Sequence, residues 1–226
     1  MRKLCCISNN LLEEKMKNSR KLMIGSLAMF IVPLIIIIMA YPKLPEVIGT
    51  HFDFNGNVNG TMNKFIGTYG MLGFLFVVQC LMVFIVPKDP KYSNVGQAMR
   101  IFMFYSVPVI TSITLVTIIG VNLGYSIAMN QIVGVLLGGL FIGLGNYLPK
   151  TKRNYTVGIK IPWTLDDDDN WNKTHRLGGY CFIIAGLFMI IGSFINQLEI
   201  CFILLFVLTF VPFVYSYMLY RKKFNK

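Results

Sequence analysis

The sequence predicts an all-α integral membrane protein: a bundle of six transmembrane helices with both termini cytoplasmic and a small, hairpin-like extracytoplasmic loop between the first two helices. Three observations predict it. The 226 residues are 55% hydrophobic and only 14% charged, whereas soluble domains carry about 25% charged residues. Six apolar runs are each long enough to cross a bilayer, and none contains Asp, Glu, Lys or Arg. The Lys and Arg residues outside those runs alternate from loop to loop between many and few.

Crossing about 30 Å of hydrocarbon at about 1.5 Å per residue takes about 20 apolar residues in a helix. The runs are Leu22 to Tyr41, Ile66 to Val86, Ile101 to Val121, Ile127 to Leu148, Leu177 to Ile195 and Ile200 to Tyr220. The first follows about twenty polar residues, and Ala40-Tyr41-Pro42 after it has no small-x-small cleavage pattern, so it reads as a retained span. Orientation follows from the excess of Lys and Arg in cytoplasmic loops. The N-terminal tail has 6, the loop after span two 3, the loop after span four 6 and the C-terminal tail 4, against Lys43 and Lys64 alone elsewhere. The net charge of +11 is therefore topological, with attraction to anionic lipid as its consequence, and it does not indicate nucleic-acid binding.

The chain divides accordingly into a basic tail (1–21), the first two spans with the loop 42–65 (22–86), a cytoplasmic loop (87–100), four spans carrying a long loop at 149–176 (101–220), and a basic C-terminal tail (221–226). Pro33, Pro108 and Pro212 fall inside spans, where each is expected to kink its helix and to free a carbonyl for a neighbour or water. Gly134-x-x-x-Gly138 and Gly139-x-x-x-Gly143 in span four have the spacing that lets helix backbones approach in lipid, within one bundle more readily than across a dimer. Cys5 and Cys6 are adjacent in the basic tail, and Cys80, Cys181 and Cys201 stand singly in apolar runs, so no disulfide framework is expected.

Thr50, Phe52 and Phe54 alternate with His51 and Asp53, and Asn55-Gly56 supplies the pair that a type I′ turn favours, so a hairpin is expected between the first two spans. Its candidate contact residues are His51, Phe52, Asp53 and Gly56. His51 and Asp53 could face a metal together, but two ligands are too few for a closed site, and no metal or other cofactor is expected. In the loop after span four, Thr164 followed by Asp167 resembles a helix-capping pattern. Trp171, His175 and Arg176 would then ride a helix into span five, with Trp163 and Trp171 at headgroup depth. The Asp166 to Asp169 run fails the EF-hand template, because the turn glycine is missing and Leu177 stands where the terminal Glu belongs; it reads as a solvated acidic turn. No nucleophile stands beside a base, so an enzyme is not expected.

These two loops resemble those of the SdpI family of bacterial membrane proteins. Leu44-Pro45-x-x-Ile48-x-x-His51-Phe52-x-x-x-Gly56 through Lys64 is similar to its short N-terminal domain of unknown function, DUF1648. The stretch Gly145-Asn146 through Asn154, Gly158-Ile159-Lys160-x-Pro162-Trp163-Thr164-Leu165, Trp171 and Thr174-His175-Arg176 resembles its signature. The resemblance implies immunity to a secreted toxic peptide, and signalling in which the toxin-engaged protein holds a cytoplasmic ArsR-type repressor at the cell membrane. It points to Asn146, Asn154, Gly158, Lys160, Pro162, Trp163, Thr164, Trp171, His175 and Arg176 as the cytoplasmic working surface. Lys160 departs from the pattern, standing where Arg is expected and giving a point charge in place of a bidentate fork; the acidic run is also heavier than in the family. The rival expectation is a transporter of a small or peptide substrate, for which Gln79, Asn122 and Asn146 are the polar candidates. Against it stands the lack of ionisable residues in the spans.

Overall fold

The computed structural model describes residues 19–224; Cys5, Cys6 and most of the basic tail lie outside them. Six helices are long and apolar enough to cross a membrane: Ser19–Lys43, Ile66–Lys88, Gln97–Asn122, Met129–Lys150, Asp168–Phe194 and Leu198–Lys223. They are called spans one to six. Much of their apolar surface faces outward, with Met39 72%, Phe74 69% and Phe206 64% exposed, as side chains meeting lipid must be. The fifth begins well before Leu177 because Asp167 caps it: its carboxylate accepts the Asp169 N–H, and Asp168 and Asp169 follow where the helix dipole favours negative charge.

Span one is interrupted by a turn at Met29 and Phe30. Pro33 has no N–H to return to Met29 O, and Val32 N donates there instead. In span three, Pro108 leaves Phe104 O without its helical donor, and Gln79 of span two fills the gap with Nε2 at 3.0 Å. Gln79 is completely buried and also donates to Ser26 Oγ of span one at 2.8 Å, so one amide links three helices. Thr111 and Ser112 turn their hydroxyls back onto the carbonyls of Val107 and Pro108.

Spans four and five meet on glycine. A Cβ on Gly138 would lie 2.5 Å from Gly186 O, and one on Gly145 would lie 2.6 Å from Gly179 O. The partners repeat every seven residues along two antiparallel helices, so backbone meets backbone over two turns. Gly134 meets Ser193, Gly143 meets the Phe102 ring of span three, and nothing approaches Gly139. Three of the four predicted small-residue positions, Gly134, Gly138 and Gly143, are therefore taken up by contacts within the chain, and Gly139 faces open space. Spans five and six share a core of Ala185, Met189, Leu198, Cys201 and Leu205. Near their other end, buried Asn170 donates Nδ2 to Ser216 O and accepts from the hydroxyls of Ser216 and Thr174.

Between spans one and two the chain forms an antiparallel hairpin, β1 (Val47–Phe52) and β2 (Val58–Asn63). Ile48 is fully buried in a cluster with Ile37, Leu44, Leu72, Leu115 and Ile118, which plugs the hairpin into the bundle. Asn122, at the end of span three, accepts the Gly49 N–H at 2.8 Å and donates to Gly49 O at 2.9 Å.

The stripe yields a paired prediction. Gly138→Ala or Gly186→Ala should lower stability by about 1–3 kcal/mol through overpacking, while Gly139→Ala leaves it unchanged or raises it. Thermal unfolding in detergent reads the difference, and equal loss at all three positions would contradict this packing.

Candidate functional site

Two faces of the bundle carry the candidate residues. On the hairpin face, the turn differs from the expected type I′. Among the described residues only Asn196 has a positive φ without being glycine, so of the Asn55-Gly56 pair Gly56 alone, at φ +86°, is left-handed. Gly56 N donates to Asp53 O and Asp53 N to Asn57 O, which is a wider loop closed by a left-handed glycine. The cause is Asp53, whose carboxylate accepts the backbone N–H groups of Asn55 and Asn57 and the Asn57 amide. Hydrogen bonds from Asn57, backbone first and side chain next, hold the Asp53 carboxyl below its ordinary range. Asp53 is thus the organiser of the turn.

His51 is exposed and pairs through Nδ1 with Asn59 Oδ1. Irregularities in the ladder on either side of His51 break the expected strict alternation, and His51 and Asp53 bond to different partners. Phe52 is half-buried against the core cluster, and Phe54 reaches across to span six, its ring 5.4 Å from that of Phe202. Val47, Phe54, Val58, Met62 and Phe65 leave 46–58% of their surface exposed around this hairpin. Its base is closed by Lys64 and Glu46 at 2.9 Å.

On the opposite, basic face, the loop between spans four and five wraps one aromatic pair. Trp171 and His175, one turn apart on span five, stack with ring centroids 3.9 Å apart and 20° between planes. Both are buried. Ile159 N is a donor, so His175 Nε2, 3.0 Å away, must accept, which leaves Nδ1 to donate to Trp171 O. The imidazole is thereby fixed in one neutral tautomer. Trp171 Nε1 donates to Thr151 O at 2.8 Å. Trp171 is 1% exposed and lies beneath its own loop, packed as a core residue and not as an exposed anchor. Gly158 crosses over this stack at φ +128°, and a Cβ there would strike His175 Nε2 and the Trp171 ring; glycine alone satisfies both the backbone and the space.

The remaining signature residues hold the loop's shape. Buried Asn154 accepts the N–H groups of Thr156 and Val157 and donates to Lys152 O. Lys160 Nζ donates to the carbonyls of Tyr155 and Thr156, a task a point charge performs as well as a fork. Pro162 opens the short helix Pro162–Asp166. Thr164 is not the cap of span five: buried, it accepts the Ile161 N–H and donates back to this loop at Ile159 O, and the capping falls to Asp167. Trp163 is half-buried against Tyr217 and Tyr220 of span six. Asn146 and Arg176 are exposed, Asn146 accepting from Lys150 Nζ.

Two sets of contacts were missed in the sequence. The acidic run is a clamp, with Asp167 on Lys223 of span six, Asp168 on Arg153 and Asp169 on Lys173, at 2.9, 2.9 and 2.7 Å. Asp89, in the loop after span two, accepts from Tyr155 N, Thr156 Oγ1 and Lys91 N, while Asn94 donates to Arg153 O. Burial of Asp89 opposes its charge, but the hydrogen bonds from Thr156, Lys91 and Tyr155 outweigh that and hold the carboxyl below its ordinary value of 3.8. Lone Asp and Asn residues in a loop give no spacing signal to find them by.

A carboxyl depressed on folding stabilises the native state above its unfolded value and stops doing so as pH falls through its folded one. Amide exchange at Tyr155 and Thr156, corrected for intrinsic rate, should therefore stay slow from pH 7 down to about 4 and quicken only below that. Asp89→Asn should speed it throughout, and an onset near pH 6 in the unsubstituted protein would contradict the tie. Gly158→Ala should cost about 2 kcal/mol or more, read by thermal unfolding; an unchanged midpoint would mean the loop has another conformation.

The family profile described as the SdpI/YfhL protein family matches residues 150–218, and that of a domain of unknown function, DUF1648, matches residues 28–76. The curated "Immunity protein SdpI" of Bacillus subtilis (strain 168) is 24% identical over 194 residues, which is 83% of this chain and 90% of that protein. No solved structure matches. With both loops matched in order and nearly the whole of that relative aligned, these matches support membership of the SdpI/YfhL protein family.

Proposed function

We propose that this protein is a membrane immunity protein that protects its cell from a secreted toxic peptide. It lies in the cell membrane with both termini and the basic face in the cytoplasm and the hairpin outside. The observation that carries the reading is the alignment to an immunity protein along 90% of that protein's length, which takes in the hairpin and the signature loop together. The exposed Val47, Phe54, Val58, Met62 and Phe65 support a contact with an apolar or amphipathic peptide arriving at the bilayer surface, since apolar patches at water-facing positions mark interaction sites.

Engagement must favour one of two arrangements, because a ligand equally at home in both shifts nothing. The hairpin is held by Asn122 of span three and rests through Phe54 on span six. Those spans end on the basic face at Arg100 and Lys223, which bond Tyr92 O and Asp167. A displaced hairpin would thus reach the loop that covers Asn154 and Trp171, whose exposed Tyr155 and Lys160 and half-buried Trp163 would hold a cytoplasmic ArsR-type repressor.

The test is expression in a toxin-sensitive strain challenged with the peptide. Growth should be restored, and Phe54→Asp should abolish protection at unchanged protein level. Fluorescently tagged repressor should move to the membrane only when peptide is present. No protection by the unsubstituted protein, or reporter fusions placing Asn57 and Trp163 on the same side, would end the proposal; substrate flux in proteoliposomes would favour a carrier instead.

A further inference from the structure

At the basic ends of spans four and five lies a groove of about 460 Å³. Its floor exists because Gly145 and Gly179 bring the two backbones together without side chains. Asn146 and Asn172 line the upper rim with Arg176, and Tyr180 and Ile183 line the wall below. Arg176 is exposed and, among the described residues, makes no hydrogen bond or ion pair, in contrast to Arg100 and Arg153 on the same face, which are both engaged. Lys150 sits one turn from Asn146 and bonds it, and no carboxylate lines the groove; Asp169, on the same helix, is already paired with Lys173.

Below the rim the surface turns apolar in a single file. Tyr180, Ile184, Leu187 and Ile191 are 58%, 45%, 48% and 57% exposed, and their spacing places them on one stripe of span five. A ligand that fits must carry negative charge at one end and a long apolar chain continuing along the helix. A soluble protein segment has no reason to follow the stripe into the bilayer, and a free phosphate makes no use of it.

We propose that this groove is a specific site for an anionic phospholipid of the leaflet on the basic face. Arg176 and the amides of Asn146 and Asn172 hold the phosphate, Tyr180 stands at the glycerol level, and an acyl chain lies along Ile184, Leu187 and Ile191. Basic pockets between membrane helices take such headgroups, and an interfacial tyrosine is suited to that depth. Asn146 and Arg176, two residues of the family signature, are thereby assigned to lipid and not to a protein partner. The site stands on this local geometry and does not depend on the immunity reading.

Native mass spectrometry of the purified full-length protein tests it, with phosphatidylglycerol, phosphatidylethanolamine of the same chains, and inorganic phosphate as three separate probes. One phosphatidylglycerol should be retained per chain in preference to phosphatidylethanolamine, and phosphate should not displace it. Arg176→Gln should weaken retention on the order of five-fold, the usual value of one cation at an anionic surface, while Arg221→Gln, an exposed arginine outside the groove, should not. Asn172→Asp, which places a carboxylate on the rim with Arg176 intact, should weaken it likewise and keeps the test decisive if Arg176→Gln does not fold; melting in detergent without lipid reads the fold of each variant. Equal retention of phosphatidylethanolamine, displacement by phosphate, or equal effects of Arg176→Gln and Arg221→Gln would each overturn the site.

Discussion

The close approach of spans four and five is the constraint on which the basic face depends. With Gly138 on Gly186 and Gly145 on Gly179, the two helix ends lie so near that the connecting loop has to fold back over them. Leu148 and Ile159 then pack on Gly178, Thr151 O meets the Trp171 indole, and Gly158 closes the fold over the Trp171 and His175 rings. In lipid there is little hydrophobic gain from pressing helices together, so backbone contact over small residues supplies the attraction. One added methyl group on this seam therefore acts on the loop as well as on the bundle.

The second constraint is that every polar backbone group at membrane depth must find a partner inside the protein. It is met here with amides and hydroxyls. Pro108 frees a carbonyl and Gln79 takes it; Asn170 binds Ser216 through two hydrogen bonds; Asn122 turns the edge of a hairpin residue into part of span three. Such groups bond without the desolvation cost of an ion, which accounts for spans that hold specific polar contacts although their apolar runs lack any formal charge. Measured helix-to-helix hydrogen bonds in membranes average only about 0.6 kcal/mol, so these amides fix which helices are neighbours more than they hold them together.

Six spans were legible because length and hydropathy are local properties, and the hairpin because a turn with Asn and Gly between β-rich runs is local too. The turn type was not: Asp53, two residues upstream, captures the Asn55 and Asn57 N–H groups and leaves only Gly56 left-handed. Capping failed at Thr164 for the same reason, since Asp167 lies closer to the helix it caps and Thr164 is drawn back to Ile159. The glycine pattern of span four was visible, but its partners Gly179 and Gly186 are seven residues apart, outside the four-residue spacing, and declare themselves only across the interface. Trp171 has the composition of an interfacial anchor and the environment of a core residue, a distinction that depends on where residues 150–160 travel. The Asp166 to Asp169 run is solvated as expected, with Asp168 and Asp169 71% and 67% exposed, but its ion pairs were not visible because two of its cations, Arg153 and Lys223, come from distant parts of the chain.

What joins the two faces is the pairing of a rigid hairpin with stiff helices. The hairpin touches span three through two hydrogen bonds at Gly49 and span six through the Phe54 ring, so it bridges elements from both halves of the chain. At the far ends, span three is tied by Arg100 to the carbonyls of Val95 and Tyr92, and the next residues carry Asp89 and Asn94 into contact with Tyr155, Thr156 and Arg153. Span six is tied by Lys223 to Asp167 and by Tyr217 and Tyr220 to Trp163. Both routes end on the same loop, and they arrive from opposite sides of it. A tilt of span three against span six would therefore shear residues 150–167, while a tilt of both together would carry the loop along unchanged. In the proposed reading, a toxin acts only if it changes the relation of those two spans, which places its contact where the hairpin bridges them, near Phe54, and not on the exposed side of either helix alone.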